Sequence, residues 1–428
     1  MAILSLCLLV CSFLDRKKFA TFLCVLVCAV FYGFYKAPFL VNHAFLYFFT
    51  SLFLLWQCSI FVLKNRNASK IEFESFFLFV KPSLCLALAG VYFIAGFHKL
   101  NASFFDVRQS CAVIFTKDLL GSVSLASFSQ KELTMLIAPY LIVGIEILGA
   151  FFLLLRSTRK IALIMVFVFH LMLSLLSFVD FSMVCLALLF CFYSLPRKLE
   201  AIEVHRLNVG LGVLSAACIL ISIVGYVHRE NRYFFTNHSL LQGSLFVLGA
   251  LFFVITFVFL STRTRPQFVL SSWTHFKKKS QYALPSFILL WGTMNYFGLR
   301  TVGNFSMFSN LRTEVGASNH FLVPVEVQLF DYQKNLVFIK DIELEKNALD
   351  WHSPRVETYL TEFELARAIQ EWTRQEIAYS IEVDRLGKIV SIDSNNWPTW
   401  LKPPSYLEKK ILQFRFVSDQ GSQASCSW

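Results

Sequence analysis

Apolar runs about 20 residues long recur along this chain, and that length is what a helix needs to cross a bilayer. Residues 75–97 and 133–155 are two of them. In lipid a segment must satisfy its own backbone, so such runs fold as helices. Ten candidate spans follow, at about 1–14, 19–35, 43–63, 75–97, 133–155, 161–178, 181–195, 207–227, 240–261 and 281–299. The first and seventh are short, which leaves eight to ten. The fold class expected is therefore mainly α. A polytopic transmembrane helix bundle covers 1–300, and a small C-terminal α+β extramembrane domain covers 301–428. Composition agrees: 56% of residues are hydrophobic and 16% are charged, against about 25% charged in ordinary soluble proteins.

The net charge of +11 does not point to nucleic acid, because before residue 300 the basic residues sit mostly in short connections between apolar runs. That is a topology signal. The connections after spans 1, 3, 5, 7 and 9 carry seventeen Lys and Arg, and those after spans 2, 4, 6 and 8 carry seven. The richer set is expected in the cytoplasm. Lys99, His43 and everything after residue 300 then share the extracytoplasmic side. Residues 1–14 lack a basic stretch before their apolar core, which favours a short first span over a cleaved signal peptide.

No cysteine or histidine spacing suggests a metal. Nine of the eleven cysteines lie in apolar segments, where they behave as small hydrophobes. Cys111 and Cys426 fall outside, and a disulfide between them is the less favoured alternative to two free thiols. Residues 104–130 mix polar and apolar residues and read as an interfacial or re-entrant piece. After residue 300 the alternation in VEVQLFDYQKNLVFIKDIEL reads as a strand pair turning near Gln333–Asn335. An amphipathic helix at about 357–376 and a second strand pair in IAYSIEVDRLGKIVSI follow. This domain of roughly 100 residues is too small for a large core of its own and is expected to dock on the bundle.

A few polar side chains stand out against the apolar background. Lys99 ends the run VYFIAGFHKLNAS. A lysine at a helix end commonly snorkels to the interface. In an apolar pocket desolvation instead favours its neutral amine, a usable base. His98 beside it lies on another helix face. Asn42 and His43 open the third run, and Asn42 has the chemistry of a helix cap. His170 shares a polar stripe with Ser174 and Ser177, at i+4 and i+7. Glu146 is a carboxylate within a span, and such groups pair with a cation, relay protons or stay protonated. The stretch GNFSMFSNLRTEVGASNH offers Ser309, Asn310, Arg312, Asn319 and His320 to a polar substrate, or joins domain to bundle. Four N-x-S/T sequons begin at Asn67, Asn101, Asn237 and Asn304.

Three blocks together resemble the vitamin K-dependent gamma-glutamyl carboxylases and the wider HTTM (horizontally transferred transmembrane) family. They are NHAFLYFF, YFIAGFHKLNASFF, and the stretch from Glu146 through RSTRKIALIMVFVFH to His170. The resemblance is good over 42–190 and fades beyond. It implies reduced vitamin K or menaquinol, O2 and CO2 as co-reactants, and no metal. Membrane lipid, a quinone and a Glu-containing peptide or protein are the implied partners. In the implied chemistry a neutral lysine deprotonates the quinol, and oxygenation toward the epoxide generates a base strong enough to remove a glutamate γ-proton. By resemblance Lys99 is the quinol base. Asn42 and His43 hydrogen-bond the oxygenated species, and His170 lines the pocket. Glu146, Arg312 and His320 complete the candidate substrate-binding set. The family's Lys-Lys pair is His98-Lys99 here, and its Asp-Ala-Asp-Trp is Asn101-Ala102-Ser103-Phe104. These departures favour quinol chemistry over protein carboxylation. The alternatives are an HTTM-type peptide maturation or export partner without redox chemistry, and a quinone-linked membrane oxidoreductase.

Overall fold

The computed structural model describes residues 16–64, 73–122, 125–129, 131–176, 178–193, 255, 258, 279–345, 354–394, 396–418 and 426. The expected spans 1–14 and 207–227, nearly all of 240–261, and the sequons at Asn67 and Asn237 lie outside the described residues.

The apolar runs fold as helices: α1 (Arg16–Lys36), α2 (Asn42–Lys64), α3 (Phe73–His98), α5 (Glu132–Leu154), α6 (Arg159–Leu175), α7 (Val179–Phe190) and α8 (Ala283–Gly292), with α4 (Cys111–Ser122) between α3 and α5. Three are long and apolar enough to cross a membrane: α2, α3 from Ser75 onward, and α5. In α3 the apolar window is 72% buried inside the protein, against 44% in α2 and 39% in α5. The helix that carries Lys99 is therefore the central post of the bundle.

Gly96 sets how closely α5 approaches that post. A Cβ at residue 96 would lie 2.6 Å from Ile147 Cγ1 and 3.0 Å from Glu146 Cβ. The bare backbone is what brings Glu146 up to the end of α3. The segment expected to be interfacial is helical at Cys111–Ser122, flanked by single turns at Ala102–Phe105 and Ala126–Ser129.

The last expected span, 281–299, is not one helix. Helix α8 has ten residues, about 15 Å of rise. The chain then tightens into a 3-10 turn at Thr293–Asn295 and reverses at Gly298, which has φ +81° and no room for a Cβ against the Phe330 carbonyl oxygen at 2.3 Å.

The C-terminal domain is α+β, as expected. Strands β1 (Leu336–Leu344), β2 (Thr358–Thr361), β3 (Tyr379–Arg385), β4 (Lys388–Asp393) and β5 (Val417–Ser418) form one antiparallel sheet in the order β4-β3-β1-β2-β5. Helix α9 (Glu362–Arg374) covers it, and α10 (Tyr406–Ile411) lies between β4 and β5 in the chain. Val337, Ile339, Leu360, Ile369, Trp372 and Ile381 fill the space between sheet and helix.

Three expectations are corrected. Residues 325–333 make 3-10 turns at Val325–Val327 and Asp331–Gln333 and form no strand. Their polar groups bond back to the bundle: Phe330 N–H donates to the Phe297 carbonyl and Gln333 Nε2 to the Asn295 carbonyl. The helix expected from 357 starts at Glu362, because Thr361 caps it by accepting from Glu364 N–H. Residues 358–361 instead pair with β1. Cys111 and Cys426 are joined in a disulfide across 315 residues. The chain folds the two cysteines into one small apolar cluster with Phe104 and Ala138, a proximity that spacing along the sequence does not reveal.

Arg300 holds the domain to the bundle. It is fully buried and donates to the carbonyls of Val302, Ile411 and Pro38 and to Gln413 Oε1. Its guanidinium carbon lies 4.6 Å from the ring centroid of Phe45 and 5.2 Å from that of Trp291. Lys410 Nζ adds bonds to the carbonyls of Phe34, Tyr35 and Ala37 at the end of α1.

Candidate functional site

Lys99 is 4% exposed. Its Nζ lies 3.0 Å and 2.8 Å from the two carboxylate oxygens of Glu146. It also donates to the carbonyls of Ala95 and Met307, both at 3.4 Å. The Phe104 ring centroid is 5.9 Å away. Lys99 therefore does not snorkel outward. It is sealed in an ion pair, and Glu146 takes the cation-pairing alternative among those open to it.

The seal is the loop 303–310. Gly303, Phe305, Phe308 and Asn310 all have positive φ, at 72°, 64°, 54° and 52°. For a bulky side chain that region is strained by roughly 1–3 kcal/mol per residue, and such strain persists only where the surroundings enforce it. Here they do. Asn42 Oδ1 accepts from Phe305 N–H at 2.6 Å. Asn310 accepts from Cys111 N–H and donates to the Gln109 carbonyl. Phe308 lies edge-on to Phe115. Asn42 thus reaches the Lys99 site through the loop it pins, and no helix-capping bond from its side chain is present. Its Nδ2 makes no bond among the described residues. His43, next on α2, is half-buried.

His170, on α6, packs against the same post. Its Nε2 pairs with Tyr92 Oη, its Nδ1 lies 3.2 Å from Ser182 Oγ, and that hydroxyl donates back to the His170 carbonyl. Nε2 is therefore the acceptor and Nδ1 carries the proton. Tyr92 precedes Lys99 by seven residues, about two turns, so both project from one face of α3. His170 is coupled to the Lys99 face through Tyr92 and makes no bond to Lys99. The Ser174 side chain and Ser177 fall outside the described residues, so the polar stripe is untested there.

His320 and Arg312 sit where the polar stretch meets the end of α3. His320 Nε2 donates to the Phe97 carbonyl at 3.0 Å. Its Nδ1 accepts from Leu322 and Val323 N–H, both at 3.1 Å. Burial lowers its pKa from the ordinary histidine value. Arg312 is half-buried; burial, then Arg415, push its pKa down. Burial alone would raise the neighbouring Glu314 carboxyl, but the Arg415 guanidinium at 2.8 and 2.9 Å overcomes it and holds it below the usual carboxylate range.

Asn101 is the hinge between these parts. It is fully buried. Its amide donates to the His98 and Ser309 carbonyls, and its Oδ1 accepts from Phe104 N–H. Asn304 is equally buried and donates to the Arg300 carbonyl. Both of these sequons are structural. His98 is held on its separate face by Tyr296 and the Asn304 carbonyl.

The structure therefore joins Lys99 to Glu146 directly; Asn42 pins the loop whose Met307 carbonyl accepts from Lys99, His320 bonds the Phe97 carbonyl two residues before Lys99, and His170 pairs with Tyr92 two turns away. Sequence reasoning missed Tyr92, Tyr296 and the part Met307 plays through its carbonyl. The seven-residue spacing from Tyr92 to Lys99 was a readable sign; the positive-φ loop carried none, since two of its strained residues are phenylalanines.

The family model of the HTTM domain matches residues 1–196. No curated protein and no solved structure matches the chain. Residues 1–196 are thus similar to the HTTM domain, which is found in vitamin K-dependent carboxylase-like proteins, and among the described residues three helices are long and apolar enough to cross a membrane.

Proposed function

We propose that this protein is a membrane enzyme that deprotonates a quinol and oxygenates it to an epoxide, with reduced vitamin K or menaquinol and O2 as co-substrates. Carboxylation of a glutamate in a peptide or protein, with CO2, is the coupled step. The single observation that carries this reading is the sealed Lys99–Glu146 pair at the end of the central apolar helix.

Two charges shut away from water carry a desolvation cost on both partners. Passing the proton from Lys99 Nζ to a Glu146 oxygen leaves a neutral amine beside a neutral acid and removes that cost. The amine can then accept a phenolic proton, with Glu146 holding the first. The surroundings fit an aromatic diol. Phe104 offers a ring face beside Nζ, and the Asn42 amide has a donor that makes no bond among the described residues. His43 supplies a second polar group next to it. His170, through Tyr92, fixes the wall below. Arg312 and His320 stand toward the polar stretch, where a carboxylate substrate would arrive. When bound, the quinol supplies the oxidation energy that drives removal of an otherwise inert proton. A closed site keeps water from quenching the strong base. The loop 303–310 must move for the quinol to reach Nζ, and its strained backbone is the part with least to lose.

The Cys111–Cys426 disulfide supports the extracytoplasmic placement of this end of the bundle, since such bonds persist in oxidising compartments.

The test is epoxide formation by the purified chain in lipid nanodiscs, given reduced menaquinone or vitamin K, O2 and bicarbonate, and read by mass spectrometry. Epoxide with the wild type and none with Lys99→Ala supports the reading. No epoxide from the folded wild type, with or without a Glu-containing peptide, overturns it in favour of the maturation or export partner.

A further inference from the structure

We propose that the C-terminal domain rests on the bilayer through an apolar rim, and that the occupant of this rim is a lipid surface bearing anionic headgroups. The proposal rests on the membrane reading of the chain. Among the large apolar side chains left bare after residue 300, five lie in the segments that meet the ends of the bundle helices: Phe321 at 58%, Leu322 at 64%, Leu329 at 73%, Tyr406 at 71% and Leu407 at 68% exposed. A grouping of that kind marks an interaction surface.

The position of the rim selects the occupant. Phe321 N–H donates to the Leu100 carbonyl, just past the end of α3. Lys410, one turn after Tyr406, donates to three carbonyls at the end of α1. Tyr332 Oη donates to Glu408 Oε1 at 2.8 Å, linking the two parts of the rim. Both parts are thus pinned to the ends of bundle helices, which on the membrane reading is the level where hydrocarbon gives way to headgroups. The same end of α1 presents Phe31 and Tyr35 outward, at 72% and 76% exposed. The apolar rim continues this exposed apolar surface, which on the membrane reading is the lipid-facing one.

Charge points the same way. Lys36, Lys402, Lys409 and Lys410 flank the Tyr406–Leu407 end of the rim, and the acid there, Glu408, is engaged by Tyr332 and by the Ser405 cap. Aromatic and aliphatic side chains bordered by lysines are the composition of a helix lying in an anionic interface.

The test uses the full chain in vesicles of phosphatidylcholine and phosphatidylglycerol. Spin labels are placed at Leu407→Cys and Leu322→Cys, with Leu52→Cys in α2 as the hydrocarbon reference and Glu345→Cys past the end of β1 as the aqueous one. Each spectrum is read against the unsubstituted chain labelled identically. At residues 407 and 322, collisions with oxygen are expected to exceed those with a water-soluble nickel chelate several-fold, approaching the ratio at 52. Ratios at 407 and 322 equal to that at 345 overturn the proposal while leaving the membrane reading intact. Low collision rates with both reagents also overturn it, in favour of a second copy or another protein covering the rim. A label at 52 that reads aqueous overturns the membrane reading itself.

Discussion

At the scale of single residues, the site depends on groups that only make sense in pairs. Removing Glu146 leaves the Lys99 cation buried without its counter-charge. Glu146→Ala is therefore expected to destabilise the protein by about 3–5 kcal/mol, seen as a drop in thermal midpoint in detergent. A Lys99→Met, Glu146→Leu double variant should recover most of that loss, since it removes both charges together. A double variant as unstable as Glu146→Ala would show that the pair is not what the site needs for stability. His320 gives a pH signature. Its folded-state pKa lies below the ordinary value of 6.5, so the unfolded chain takes up the proton first as pH falls. The stability contributed by neutral His320 is complete above about pH 6.5 and is lost below it. Protonation at Nδ1 also removes the acceptor of two backbone N–H groups. His320→Gln should flatten the dependence of thermal midpoint on pH between 6.5 and 5; an unchanged slope would assign it to other groups. Lys99, Glu146 and His170 were readable as outliers in apolar runs because polarity in such a run is rare. The pairing of Lys99 with Glu146 was one of several readings until Gly96 was seen to let the two helices close.

Elements followed the sequence where burial pattern alone decides, and departed from it where tertiary bonds compete. Among the described residues, α1 to α3, α5 to α7 and the β3–β4 hairpin fall where the sequence pattern placed them, while the span expected at 281–299 breaks after Gly292. Residues 325–330 alternate like a strand, yet their backbone is claimed by the loop after α8, and alternation cannot show which partner wins. Helix α9 illustrates local chemistry at its other end. Glu376 has φ 58°. Its N–H donates to the Thr373 carbonyl, and that of Ile377 to the Trp372 carbonyl, the Schellman arrangement that usually has glycine at this position. Glu376 is exposed, so nothing is lost with its side chain. Glu376→Gly is expected to stabilise the domain by about 1 kcal/mol, measured as a raised midpoint in chemical denaturation. A lower midpoint would mean that Glu376 makes a contact worth more than the backbone strain.

At the scale of the whole molecule, the contrast between apolar helices and a sheet-bearing C-terminal region was legible from composition and alternation. Their union was not, since it is made by residues far apart in sequence: Arg300 with Pro38, Lys410 with the end of α1, Cys111 with Cys426. Reducing the disulfide is expected to lower stability on the order of 2–4 kcal/mol, read as a downward shift in melting with reductant. Cys426→Ser should melt at the reduced value and ignore reductant, and a wild type indifferent to reductant would assign the bond no part in stability. The bond also orders events during synthesis. Cys111 leaves the ribosome before α5 to α8 and before every strand of the sheet, yet it must wait for residue 426. Until then its thiol lacks the partner it has in the folded chain. Completion of this link therefore marks a chain that has been made as far as residue 426 and folded far enough to bring that residue back to Cys111.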